Sequence, residues 1–147
     1  MTPQDVIRVE LAMLAWREGF RHGGIKNMLA VAFVVRNRVN AGWLAGDWLK
    51  IISSHDEYSS MVMMHPEHYR TEANIGNIPN FHHRTVRDLL VEVDFIFDGT
   101  KNDDLTEGAL YYGELNSIQN PWFLENIARK PEDHPRVATI GPVSFFR

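Results

Sequence analysis

The chemistry this sequence offers begins at Glu18, which follows Trp16-Arg17 and directly precedes a break at Gly19 and Gly23-Gly24. A carboxyl group there can leave a helix surface and project over a cleft made by the following loop. Trp16 and Phe20 beside it would exclude water, and desolvation favours the protonated acid. Glycosidic cleavage needs such a proton donor, because the sugar oxygen is a poor leaving group unless protonated. On spacing alone a solvated glutamate, or one paired with Arg17 or Arg21, is the favoured reading, since one Glu near a helix end is a weak signal.

The histidines offer a different chemistry. Five of the seven fall between positions 55 and 83: His55, His65, His68, His82 and His83. In His65-Pro66-Glu67-His68 the i,i+3 spacing can bring two imidazoles onto one helical turn, with a third His or Asp56 completing a zinc site. A metal-dependent hydrolase such as an amidase is the reading this favours. No His-Glu-x-x-His is present and the region lacks firm periodicity to preorganise ligands, so no metal or other cofactor is expected.

Bulk properties narrow the field. A chain of 147 residues, 44% hydrophobic and without cysteine, is the size of one domain and has no staples for two smaller ones. One domain over 1–147 is therefore expected. Thiol catalysis and cysteine-ligated metals are excluded. A formal charge of −4 argues against a general nucleic-acid binder, although Arg84 and Arg87 sit beside His82 and His83. No run reaches the roughly 18 apolar residues of a membrane span, and Met-Thr-Pro-Gln-Asp is not the basic start of a secretory signal. Synthesis in the cytoplasm without a signal peptide, and action as a monomer without membrane insertion, are the expectations.

The elements that must position Glu18 can be read from hydrophobic period. Thr2 is a helix N-cap, Pro3 the first helical residue, and Val6, Val9, Met13 and Trp16 set a helix ending near Glu18. A second helix spans Ile25 to Val39. Its middle, Leu29 to Val35, is apolar on every side, as in a core helix. Asp47 caps a short third helix through Ile52. Residues 53 to 83 read as a long surface excursion, with a short helix near Pro66–Tyr69. A fourth helix runs from about Thr85 to Phe97, with Val86, Leu89, Leu90, Val93 and Phe97 inward. Short apolar segments follow at Ala109–Tyr112 and Trp122–Leu124, and Val137–Ile140 with Val143–Phe146 form a hairpin about Gly141-Pro142. The fold class is α+β: helical for two thirds, then a small antiparallel sheet.

Four blocks, in order and covering most of the chain, carry a family resemblance. They are Trp16-Arg17-Glu18-Gly19 through Asn37-Arg38-Val39; Trp48-Leu49-Lys50-Ile51-Ile52 followed by Tyr58-Ser59; Asp104-Leu105-Thr106-Glu107-Gly108-Ala109-Leu110-Tyr111-Tyr112; and Ile140-Gly141-Pro142-Val143-Ser144-Phe145-Phe146. The third is the most specific. Together they resemble the spore-cortex-lytic and cell-wall hydrolase family, which cuts the glycan strands of peptidoglycan. The stretch after Glu18 departs from the family's Ala-Arg-Gly-Glu run and carries one extra residue. Ser144 stands where a His is common.

The resemblance implies a lysozyme-like arrangement with Glu18 as the catalytic acid. It leans toward a lytic transglycosylase, in which one Glu serves as both acid and base and leaves 1,6-anhydromuramic ends. A glycan hydrolase (muramidase or glucosaminidase) would need a second carboxylate, for which Asp47, Asp56, Glu57 and Glu114 are candidates. Tyr111 and Tyr112 are the best supporting catalytic residues, and on a strand only one of them can face a cleft. Tyr58, Ser59, Trp43, Trp48, Trp122 and Glu114 are candidates for holding sugar. Asn37, Arg38 and Thr106 are expected to hold the scaffold. The expected partner is peptidoglycan, in a bacteriophage endolysin released through a holin or carried in the virion. A non-catalytic wall-binding or virion structural protein is the remaining alternative.

Overall fold

The computed structural model describes residues 2–19, 24–54, 80–116 and 121–147, apart from the side chains of 80–83 and 86. Helix α1 spans Pro3–Gly19. Its start is fixed reciprocally: the Asp5 amide donates to Thr2 Oγ1 at 3.2 Å and the Thr2 amide to the Asp5 carboxylate at 2.9 Å. That is a capping box, with Asp in the usual Glu position. Helix α2 spans Ile25–Asn40. It ends where Gly42 takes φ 84°, a left-handed conformation that glycine adopts without a Cβ clash. A 3₁₀ turn over Trp43–Gly46 follows, with Leu44 and Ala45 also left-handed. Asp47 then caps α3 (Trp48–Ile52) by accepting from the Lys50 amide.

Helix α4 covers Asn80–Phe97, starting five residues before the expected Thr85. The polar opening Asn-Phe-His-His-Arg carries no apolar period, so its helicity was hidden from a pattern reading. Leu89 and Val93 point inward as expected, and Ile96 joins them fully buried. Of the excursion expected over 53 to 83, residues 55–79, with the expected helix near Pro66–Tyr69, lie outside the described residues, and 80–83 belong to α4 instead.

Three strands form one antiparallel sheet in the order β1-β3-β2: β1 Tyr111–Gly113, β2 Arg136–Ile140 and β3 Val143–Phe146. The hairpin about Gly141-Pro142 is therefore present, with Ile140 opposite Val143. The segment at Trp122 is no strand: Pro121–Phe123 is a short helix, α5, continued by a π-helical turn over Leu124–Ala128. Phe123 meets Phe146 edge-on at 5.9 Å, while Trp122 is exposed. The secondary structure came from Pro121, whose fixed φ suits a helix start. The protein is thus α+β.

Helix α2 is the centre of the packing, which explains why its middle is apolar all round. One side meets α1, α3 and α4, where Val31, Phe33 and Val35 join Leu11, Leu14, Ile51, Ile52, Leu89 and Val93. The other side meets the sheet, where Ala30 and Val34 pack on Ala109, Val143 and Phe145. Small residues at positions 30 and 34 let the sheet approach. Leu105 and Tyr112 touch both clusters and join them.

Candidate functional site

Glu18 sits in the last turn of α1 and is partly buried. Its place is set by the next residue. A Cβ built on Gly19 would lie 2.6 Å from the backbone N and Cα of Met28, closer than real Cβ atoms come. Only glycine lets the end of α1 cross the start of α2 at this distance. Beside that crossing, Asn27 is buried in α2 and its amide donates to the Ile140 carbonyl at 3.3 Å. The end of α1, the start of α2 and the β2–β3 turn therefore share one end of the molecule.

The sheet register extends this end to another acid. Strand β1 runs from Tyr111, opposite Phe146, to Gly113, opposite Ser144. The next residue, Glu114, continues toward Val143 and Ile140, the same end as Glu18. Of the described candidates for a second carboxylate, Glu114 is the one that the topology carries there. Asp47 belongs to the cap of α3, beyond the opposite end of α2. Asp56 and Glu57 lie outside the described residues.

At the other end of α2 the residues are locked by hydrogen bonds. The Asn37 side-chain amide donates to the Asp104 carboxylate at 2.9 Å and the Ala109 carbonyl at 3.0 Å. Asp104 also accepts from the Thr106 amide and hydroxyl (2.8 and 2.6 Å) and from the Gly108 amide at 2.9 Å. This closes the Asp-x-Thr-x-Gly turn, in which Gly108 takes φ 82°. Arg38, only 3% exposed, donates from Nε to the Leu110 carbonyl at 2.7 Å. Its guanidinium lies over Trp43, 4.7 Å from the ring centroid, and 5.9 Å from that of Tyr111. The scaffold roles expected of Asn37, Arg38 and Thr106 match these bonds.

The two tyrosines diverge as strand alternation requires. Tyr112 stacks on Phe145 at 5.9 Å and packs between the two clusters. Tyr111 turns to the opposite face, 5.5 Å from Trp43 and 5.1 Å from His134, whose Nδ1 lies 2.8 Å from the Arg147 carbonyl oxygen. From Asn27 to Arg38 is eleven residues, or about 16 Å of helix axis. Tyr111 and Trp43 thus lie toward the far end of α2 from Gly19. Trp48 is packed edge-on against Phe97 at 5.0 Å in the helical core. Trp122 is 58% exposed on α5. Tyr58, Ser59, His55, His65 and His68, and the side chains of His82 and His83, lie outside the described residues. Among the described residues no group of three or more His, Asp or Glu is placed to hold a metal ion. Among them, too, no helix is long and apolar enough to cross a membrane.

Sequence reasoning passed over Gly19 as a packing residue, and Asn27 and His134 altogether. Gly19 was legible only as a helix breaker, because the partner that makes it obligatory, Met28, is nine residues on. His134, in Pro-Glu-Asp-His-Pro, carries no pattern that points to Tyr111. No protein-family model, curated protein or solved structure matches the chain.

Proposed function

We propose that this protein cleaves the glycan strands of peptidoglycan as a lytic transglycosylase, in a lysozyme-like arrangement with Glu18 as its acid/base. The observation that carries the reading is the Gly19 crossing, which seats a partly buried carboxylate at a helix end beside the sheet. The four-block resemblance supplies the substrate class. In the reaction the Glu18 carboxylic acid gives its proton to the bridging oxygen as the bond from that oxygen to muramic C1 breaks. The resulting carboxylate takes the proton of the muramic C6 hydroxyl as O6 closes on C1. The product carries a 1,6-anhydro ring, Glu18 is protonated again, and no water is consumed.

The register at β1 favours a second reading, hydrolysis with Glu114 as the other carboxylate. Glu114 would then activate water or attack C1, according to its distance across the bound sugar. Action on the wall after release through a phage holin, or from a virion, fits either reaction.

Digestion of purified peptidoglycan followed by mass analysis of the fragments separates them. Anhydromuramic ends support the transglycosylase, and reducing ends that vanish in Glu114→Gln support the hydrolase. Intact glycan with freed peptides, or binding to sacculi without clearing, removes both readings.

A further inference from the structure

Three half-buried rings meet toward the far end of α2 from Gly19, and the proton transfers proposed above use none of them. Tyr111 is the middle one, 5.5 Å from Trp43 and 5.1 Å from His134 between centroids, with ring planes inclined at 58° and 79°. Each is fixed by its own partner. The Arg38 guanidinium lies 4.7 Å from the centroid of Trp43, and strand pairing sets Tyr111 opposite Phe146. His134 Nδ1 lies 2.8 Å from the Arg147 carbonyl oxygen. A carbonyl only accepts, so Nδ1 carries the proton and Nε2 of the neutral ring is an acceptor. The turn that carries Trp43 is strained, since Leu44 (φ 47°, ψ 43°) and Ala45 (φ 58°, ψ 24°) are consecutive left-handed residues with a Cβ. Such strain persists where surrounding contacts over-determine it, and it clusters at ligand sites. Here it leaves Leu44 52% exposed next to Trp43.

We infer that Trp43, Tyr111 and His134 form a saccharide-binding subsite, remote from the acid, that holds the glycan strand while Glu18 acts on it. For its substrate class this rests on the glycan cleavage proposed above. About 16 Å of helix axis separates Asn27 from Arg38, so the subsite takes sugars beyond the pair being cut. Each ring has an apolar body and a polar tip: the indole N–H, the phenol hydroxyl and the imidazole Nε2. A sugar offers the complement, C–H faces bordered by hydroxyls. A cation is a poorer match, because the Arg38 guanidinium already lies against Trp43 and, at 5.9 Å, Tyr111. A purely apolar ligand would offer the polar tips no hydrogen bond.

With the rings fixed before binding, little side-chain freedom is lost when a sugar seats on them. Contacts this far from the reacting bond are the same in the ground state and the transition state. They lower KM and leave kcat alone.

The direct probe is an N-acetylglucosamine oligomer titrated into the full chain carrying Glu18→Gln, which blocks turnover, and followed by side-chain NMR. The Trp43 indole N–H and the His134 ring C–H signals are expected to shift together and saturably. Trp48, packed against Phe97 in the helical core, should stay in place. Trp43→Ala should weaken the oligomer at least about tenfold. His134→Leu removes the Nε2 acceptor and should weaken it roughly fivefold. Because Trp43 also packs against the helical core, His134→Leu, on the loop before β2, keeps the test decisive if the first variant does not fold. With Glu18 intact and purified sacculi as substrate, both variants should raise KM and leave kcat unchanged. The absence of saturable shifts, equal shifts at Trp48 and Trp43, or undiminished affinity in His134→Leu overturns the inference. Saturable binding by a protein that does not cleave glycan removes the proposed reaction and keeps the subsite, whereas cleavage without shifts at Trp43 and His134 does the reverse.

Discussion

The two ends of α2 are built by different means. At the Arg38 end, polar side chains reach from the helix to the Ala109 and Leu110 carbonyls and to the Asp104 carboxylate in the loop leading into β1. At the Glu18 end, a glycine lets two helices touch through their backbones, beside the bond from the Asn27 amide to the Ile140 carbonyl. Hydrogen bonds of the first kind consume the polar groups that make them. Steric fixation of the second kind sets where α1 ends, and with it where Glu18 sits, through the backbone.

The sharpest way to break this comparison is to exchange the acid itself. Glu18→Gln keeps the shape and removes the proton, so glycan cleavage should fall roughly 10²–10⁴-fold, the usual worth of a positioned acid/base. Its melting temperature should stay close to that of the parent. Initial rates on purified sacculi alongside a thermal melt decide it, and undiminished turnover would remove Glu18 from the chemistry. Tyr111→Phe belongs to the other end of α2 and should cost less than about tenfold in rate.

Arg38→Met tests the opposite end. It leaves the Leu110 carbonyl without its donor and takes the cation from Trp43, which should cost about 3 kcal/mol of stability. For a chain of this size that corresponds to a melting temperature lower by roughly 6–12 °C. Activity per folded molecule should survive at temperatures well below the melt. A variant that melts normally but loses turnover would mean that the two ends are coupled rather than separate.

How legible these ends were in the sequence follows from the same distinction. The helices were readable because α1 and α2 carry long apolar periods and local caps such as Thr2 with Asp5, and the hairpin because Gly141-Pro142 separates two apolar runs. At the Asp104 turn only the scaffold role of Thr106 was read; the bonds that Asp104 makes to the Thr106 and Gly108 amides were not. Elsewhere, what could not be read depends on contacts distant in sequence. Met28 makes Gly19 obligatory, Asn27 ties α2 to Ile140, and β1–β3 pairing decides that Glu114 and Tyr111 face different ends. The start of α4 was missed for the converse reason, since its opening Asn-Phe-His-His-Arg carries no apolar period to reveal a helix.

Gly19→Ala and Gly108→Ala sharpen the contrast at a smaller scale. The first forces a Cβ into the Met28 backbone and should cost about 1–3 kcal/mol, as overpacking does. Because the helix end must shift to admit it, kcat should fall while binding of glycan changes less. The second strains a residue at φ 82° and should cost about 1–2 kcal/mol. It lies in the Asp104 turn, so kcat should hold. Equal effects of the two on kcat would show that Gly19 is an ordinary packing residue.

The smallest expected effect concerns the α1–α4 contact near the Arg38 end. Asp94 is held above the ordinary value of 3.8, first by desolvation and then by Asp98, against the opposing pull of Arg8. Arg8 Nε lies 3.3 Å from the Asp94 carboxylate, and its guanidinium also lies over Phe97. A carboxyl raised in the folded state favours folding when protonated. That contribution is complete below the unfolded value and is lost as pH rises through the folded one. Asp5 works in the opposite sense: its hydrogen bonds to Thr2 hold it below 3.8, so its stabilisation is present above that value and lost as pH falls. Asp94→Asn should therefore melt slightly higher than the parent at pH 7, with the advantage shrinking as the pH approaches 4. Half-exposed ion pairs contribute roughly 0–1 kcal/mol, so the shift should be a few degrees at most. Thermal melts of both proteins across that range supply the check. A variant less stable at pH 7 would mean that attraction to Arg8 outweighs desolvation, making Asp94 a second polar anchor on the Arg38 side of the fold.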